Sequence, residues 1–235
     1  MTHPKKILII ATSAHDMGEG KGETGLWLEE LTTPYYAFID AGADVTLASI
    51  KGGEIPIDAR SLNEEGEKPE SVQRYEDDAA FQEAVRTSHC FSRLPASGYD
   101  AIFLPGGHGT MFDYPNSHAL AEMVTETIES GRIVAAVCHG PAGLVSALSS
   151  DGTPLVKGRK VTGFTDGEER AVGLDEAVPF LLETRLKDLG ADYSKGEDFS
   201  VYAVRDGGLI TGQNPMSAGK TAELVMEALT ERQAA

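Results

Sequence analysis

The sequence predicts an α/β fold: a mostly parallel β-sheet with helices packed on both faces. Three observations carry this. Short apolar runs rich in β-branched residues recur without alternation, the pattern of strands buried on both faces. Segments with helical spacing separate them. The 235 residues, 41% apolar and 24% charged, have the composition of a water-soluble globular chain long enough for one large domain. Residues 1–235 are therefore read as a single domain.

"KILIIAT" (6–12) is the first expected strand. In "TPYYAFIDAG" (33–42), Thr33 is expected to cap a helix with Pro34 at its first position, and Gly42 to stop it. "DVTLASI" (44–50) is the second strand. The stretch 52–78, "GGEIPIDARSLNEEGEKPESVQRYEDD", is acidic and weakly periodic, and is expected to be a polar insertion that forms a surface loop, rim or lid. Helical spacing returns at 79–87. "AIFLPGG" (101–107) is a strand, 117–129 a helix, and "RIVAAVC" (132–138) a strand. A helix over 142–149, a strand at "KVTGF" (160–164) and a helix over 175–189 follow. A hairpin in "FSVYAVRDGGLITG" (199–212) precedes a final helix over 215–230.

Charge narrows the function classes. Against 37 acidic residues stand only 20 basic ones, a net charge of −17, so the basic footprint of a nucleic-acid binder is missing. An anionic membrane surface is disfavoured for the same reason. No run approaches the roughly 18 apolar residues of a membrane span. Two cysteines make no disulfide framework, and the apolar run near the N-terminus is too short for a signal peptide; a cytoplasmic location is expected.

Chemistry concentrates in "IVAAVCHGPAGL" (133–144). A buried strand ends at Cys138, Gly140 permits a crowded turn, and Pro141 suits the first position of a helix. Strand, tight turn and helix with the nucleophile at the apex make an elbow, here with cysteine in place of serine. A helix N-terminus behind Cys138 is expected to lower its pKa and favour the reactive thiolate. The His139 backbone N–H is a candidate oxyanion donor, and the Gly-rich turn "LPGGHGTMFDYP" (104–115) is expected to supply a second, from Gly107 or its neighbour. That turn lacks the lysine and hydroxyl residue of a phosphate-binding loop. Cys90, in "TSHCFSRL", has no comparable setting and is read as structural; no metal site or cofactor is expected.

The histidines are His3, His15, His89, His108, His118 and His139, none of them after the elbow. The base or orienting group is then His139, His108 or a carboxylate. Glu30, beside Trp27 and Leu28 and expected just before a helix, would have a raised pKa in apolar surroundings and could shuttle a proton. Glu169, after the strand expected to neighbour the cysteine strand, could orient His139.

"AVCHGP", "LPGGHGTMFDYP", "TGLWLEELTTPYYAFIDAGADVTLAS", "VTGFTDGEERAVGL" and "LITGQNPMSA" together resemble the ThiJ/PfpI superfamily of class I glutamine amidotransferase-like proteins, in its heat-shock chaperone and glyoxalase III branch. The resemblance covers almost the whole chain, with the five motifs in the family's order. It implies a flavodoxin-like three-layer sandwich and a homodimer. It also implies a cysteine nucleophile, Cys138, hydrogen-bonded by Glu30, with His139 held by Glu169; Glu168 is the alternative for the last role. The implied activity is a cofactor-independent, lyase-type conversion of the small dicarbonyls methylglyoxal and glyoxal to lactate and glycolate. A cysteine hydrolase acting on peptides or amides, and an ATP-independent holdase chaperone of the stress response, are the alternative readings.

Overall fold

The computed structural model describes residues 3–18, 20–62 and 68–234. Its strands are β1 (Lys6–Ala11), β2 (Asp44–Ser49), β3 (His89–Cys90), β4 (Ala101–Leu104), β5 (Ile133–Val137), β6 (Lys160–Val161), β7 (Asp192–Tyr193), β8 (Ala203–Asp206) and β9 (Leu209–Gly212). Seven of them form one sheet in the order β3-β2-β1-β4-β5-β9-β8. Every neighbouring pair is parallel except the β8–β9 hairpin. The helices are α1 (Leu28–Asp40), α2 (Glu70–Asp77), α3 (Ala79–Arg86), α4 (Thr110–Asp113), α5 (His118–Glu129), α6 (Asp166–Ala171), α7 (Leu182–Asp188) and α8 (Ala218–Ala234).

Side chains alternate across the central strands, so each strand feeds two cores. Leu8, Ile10, Ile102, Leu104, Val134 and Ala136 face Leu120 and Val124 of α5 and Leu186 of α7. Ile7, Ile9, Phe103, Ala135 and Val137 face Leu31 and Phe38 of α1, Phe81 of α3 and Val225 of α8. Both faces are covered, giving the expected three-layer, flavodoxin-like sandwich. This explains why the strand segments read as unbroken apolar runs.

Several local expectations need correction. The first helix starts at Leu28, with Trp27 at its N-cap, so Pro34 lies inside it and Glu30 sits in its first turn instead of ahead of it. A proline there costs one backbone hydrogen bond, and burial of Leu28, Leu31 and Phe38 outweighs that local penalty. The helix expected over 142–149 is a 3₁₀ turn, Gly140–Leu144. Gly140, Gly143, Ser146 and Ser149 make this stretch a weak helix former. The strand expected over 160–164 shrinks to β6, paired with β7 in a separate small sheet. The helix expected over 175–189 forms only as α7, because Pro179 breaks it. Ahead of it, α6 carries a capping box between Thr165 and Glu168, whose Thr-x-x-Glu spacing is a helix-start signal.

In the polar stretch 52–78, Ile55 and Val72 are buried, as is Asp58, which accepts from the hydroxyl of Thr24 and pairs with Arg60. α2 packs against α1, where the Thr33 hydroxyl meets Ser71 at 2.7 Å. Residues 63–67 of that stretch lie outside the described residues.

Candidate active site

The loops leaving the carboxyl ends of β4 and β5 converge with the start of α1 and with α6. This is where a parallel sheet gathers its functional groups. Cys138 follows β5 directly and, among the described residues, is one of two non-glycine residues with positive φ, at 59°. Such a conformation costs roughly 1–2 kcal/mol for an L-residue. It is held on both sides: the Cys138 N–H donates to Gly212 O at 2.9 Å, and its carbonyl accepts from Phe164 N–H at 2.8 Å. Gly140 lies so close to the Leu104 carbonyl that a Cβ there would overlap it. The expected crowding of the elbow is thus backbone against backbone.

Glu30 is fully buried beneath the cysteine. Its Oε2 accepts from the Gly106 N–H at 2.8 Å, and its carboxyl lies close enough to the Cys138 thiol for each to shift the other's titration. A Cβ on Gly106 would stand 2.7 Å from both that carboxylate oxygen and the His139 nitrogen, so the residue must be glycine for these groups to meet. Desolvation raises the Glu30 pKa to about 8, against smaller lowering by Cys138 and Gly106. Near neutral pH the carboxyl therefore carries a proton. Its Oε1 is buried without a hydrogen-bond partner, so it is the carboxyl oxygen left free to carry that proton.

The expected lowering of the Cys138 pKa is not what the geometry produces. Burial, followed by the charge of Glu30 when ionised, pushes the thiol well above its usual range. One 3₁₀ turn supplies less dipole than the α-helix expected behind it. The opposing influence is the Gly107 backbone N–H, which faces the sulfur and lowers its pKa. Among the described residues, neither the Gly107 nor the His139 N–H donates to a backbone acceptor, so both are free for an oxyanion.

His139 completes the arrangement. Its Nδ1 lies 3.4 Å from Cys138 Sγ, and its Nε2 lies 2.7 Å from Glu169 Oε2. The imidazole packs on Phe164, centroid to centroid 4.4 Å. Glu169 also reaches His108: its Oε1 stands 2.7 Å from His108 Nε2, and the two rings are 4.2 Å apart. Burial raises the Glu169 pKa, but the two histidines outweigh it and hold the carboxyl well below its ordinary value. An ionised Glu169 accepts Nε2–H from both rings, which leaves a lone pair on each Nδ1. Glu168, the alternative partner, faces away. It accepts from the backbone N–H groups of Thr165 and Phe199 and the amides of Gln213 and Asn214.

His108, His139 and Glu169 are also the one trio of metal-ligand type atoms gathered within 4.8 Å among the described residues. Those atoms satisfy one another through the two short hydrogen bonds, both imidazoles resting on the one carboxylate.

A cavity of about 240 Å³ opens over the thiol. Trp27, Phe164 and Pro215 line it with Gly107, His108, Cys138 and His139. At its mouth stand Val172, Phe199 and Met216, each between 40% and 49% exposed. Sequence reasoning missed this wall. Its members come from segments far apart in the chain, and none carries a local signal. Arg60, from the 52–78 stretch, lies near enough to act electrostatically on His108 and Glu169. Cys90 lies apart on β3, its sulfur 3.3 Å from the Ser92 hydroxyl. Among the described residues no helix is long and apolar enough to cross a membrane.

The sequence matches the profile of the DJ-1/PfpI family over residues 24–228. It is 33% identical to a Saccharomyces cerevisiae protein named Glutathione-independent glyoxalase HSP31, across 96% of this chain and 98% of that one. It is 34% identical to Glyoxalase 3 of Candida albicans, across 95% and 98%. The crystal structure of glyoxalase III from Candida albicans superposes with a TM-score of 0.87 at 33% identity, covering 95% of this chain and 97% of that one.

Proposed function

As this chain belongs to the DJ-1/PfpI family, we propose that it is a glutathione-independent glyoxalase, a lyase that converts methylglyoxal or glyoxal to lactate or glycolate with Cys138 as nucleophile. The observation that carries this is the fully buried Glu30 carboxyl, close enough to the Cys138 thiol for each to shift the other's titration. Acyl transfer to water needs a nucleophile, a base and an oxyanion hole. Isomerising a 2-oxoaldehyde also needs a group that moves hydrogen from one carbon to the next. A protonated carboxyl beside the sulfur supplies it. This favours the glyoxalase reading over a peptidase or amidase.

The steps balance as follows. The Cys138 thiol proton passes to His139 Nδ1, and sulfur attacks the aldehyde carbon. The oxygen, held by the Gly107 and His139 N–H groups, takes the Glu30 proton to give a hemithioacetal. Glu30, now a carboxylate, removes the hydrogen from the former aldehyde carbon, while His139 protonates the ketone oxygen; the product is an enediol. Glu30 returns its proton to the second carbon, and the hydroxyl on the sulfur-bearing carbon gives its proton to His139. A lactoyl thioester remains on Cys138, with His139 protonated and Glu30 ionised. Water then cleaves the thioester. Glu169 steadies His139 throughout by accepting at Nε2.

The same reading takes the enzyme as a cytoplasmic homodimer formed of one domain, which light scattering of the purified protein tests. The test of function is lactate formation from methylglyoxal without glutathione, wild type beside Cys138→Ser. Cysteine-dependent lactate is expected. Wild-type protein that produces none overturns the proposal.

A further inference from the structure

His108 takes no part in the steps above, yet it is built into the site. It follows β4 on the glycine-rich turn, is 5% exposed, and lines the cavity beside Cys138. Its Nε2 is fixed on Glu169, which leaves Nδ1 as the free atom. Nδ1 has no protein partner among the described residues and is not among the fully buried polar atoms that lack one, so it is not sealed off, and its ring lines the cavity.

The thioester stage calls for such a group. His139 then carries the proton that the departing sulfur needs, at 3.4 Å, and cannot accept another from water at the same nitrogen. Glu30 lies on the closed side of the sulfur, fully buried, with Oε2 tied to Gly106. His108 is the remaining base on the open side. We propose that His108 is a catalytic residue of the second half-reaction, the base that activates the water hydrolysing the Cys138 thioester; this rests on the glyoxalase reading.

A water O–H bond breaks and its proton goes to His108 Nδ1, while oxygen bonds the thioester carbonyl carbon. The C–S bond then breaks, its electron pair goes to sulfur, and sulfur takes the His139 proton. The new carboxylic acid returns a proton to Glu30, and His108 releases its own to solvent. Glu169, the carboxylate that serves His139, offsets part of the cost of the imidazolium formed on His108. Burial and the neighbouring His139 hold the His108 pKa down to about 4, so its lone pair is available across the neutral range.

The test is rapid-quench kinetics with methylglyoxal on wild type and His108→Gln, a variant whose amide can still donate to Glu169. Hydroxylamine traps the thioester as a hydroxamate and needs no base. The expected result is a first turnover near the wild-type rate, a trapped thioester approaching one per site, and steady-state lactate formation slowed about 100-fold, within the range for loss of a general base. Hydroxylamine should relieve the slow step, and free imidazole should partly rescue His108→Ala. Equal slowing of first and later turnovers, or no slowing of either, overturns the proposal. Wild type that forms no lactate is a different result, which refutes the glyoxalase reading itself.

Discussion

Replacing Glu30 with glutamine should make the protein more stable, increasingly so as pH rises. The carboxyl titrates at about 8 in the fold against an ordinary 4.5. Its contribution to stability is fully present below 4.5, where folded and unfolded chains are both protonated there. Between 4.5 and 8 the unfolded chain releases this proton and the folded chain keeps it, so stability falls with rising pH. At about 1.4 kcal/mol per pH unit, the full interval amounts to about 5 kcal/mol. Glutamine escapes the loss. Its oxygen can accept from the Gly106 N–H, and its amide can donate to sulfur, so the neutral carboxyl's bonds are kept. Urea unfolding of both proteins at about pH 5 and about pH 8 isolates the effect, because every other group is common to the two. The stability difference, glutamine minus wild type, should grow by about 4 kcal/mol across that range. A difference that does not change with pH would show that Glu30 is not held neutral, and the proton shuttle would lose its basis.

Glu169→Gln should act at the opposite end of the pH scale. The two histidines hold this carboxyl below its ordinary value, so its contribution is present above 4.5 and lost as pH falls; the variant should unfold less steeply in acid and lose about 100-fold in turnover, read by titration and by lactate assay. Gly140→Ala should cost about 3 kcal/mol in thermal or urea unfolding, because its methyl group overlaps the Leu104 carbonyl. At Cys138, glycine should be no less stable than alanine. At an ordinary site it would lose about 1 kcal/mol, and here relief of the left-handed backbone offsets that loss.

The elbow was legible because each of its parts is local: five buried residues, a cysteine, then Gly140 and Pro141. The sandwich was legible for the same reason, since strands buried on both faces cannot alternate. What failed were rules applied without tertiary context. Pro34 reads as a helix start, yet the helix runs through it to reach Leu28, because α1 must bury that turn to seat Glu30. A helix N-terminus argues for a low thiol pKa, yet burial and the Glu30 carboxyl act more strongly than one 3₁₀ turn. The bond from His108 to Glu169 spans 61 residues and depends on α6, whose capping box was present in the sequence but went unread. The apolar wall above the thiol is assembled from Val172 just past α6, from Pro215 and Met216 on the turn before α8, and from Trp27, Phe164 and Phe199 on three loops, a placement that only the folded chain specifies.

In the proposed mechanism Cys138 forms the bond to carbon and Glu30 moves the hydrogen. Nuclear magnetic resonance of Glu30→Gln with methylglyoxal isotope-labelled at its aldehyde carbon tests it directly. A hemithioacetal carbon bound to the enzyme, absent from the Cys138→Ser form, with lactate lost or nearly so, is the predicted result. Lactate accumulating at the wild-type rate would mean that the hydrogen travels without Glu30, and would contradict the central claim.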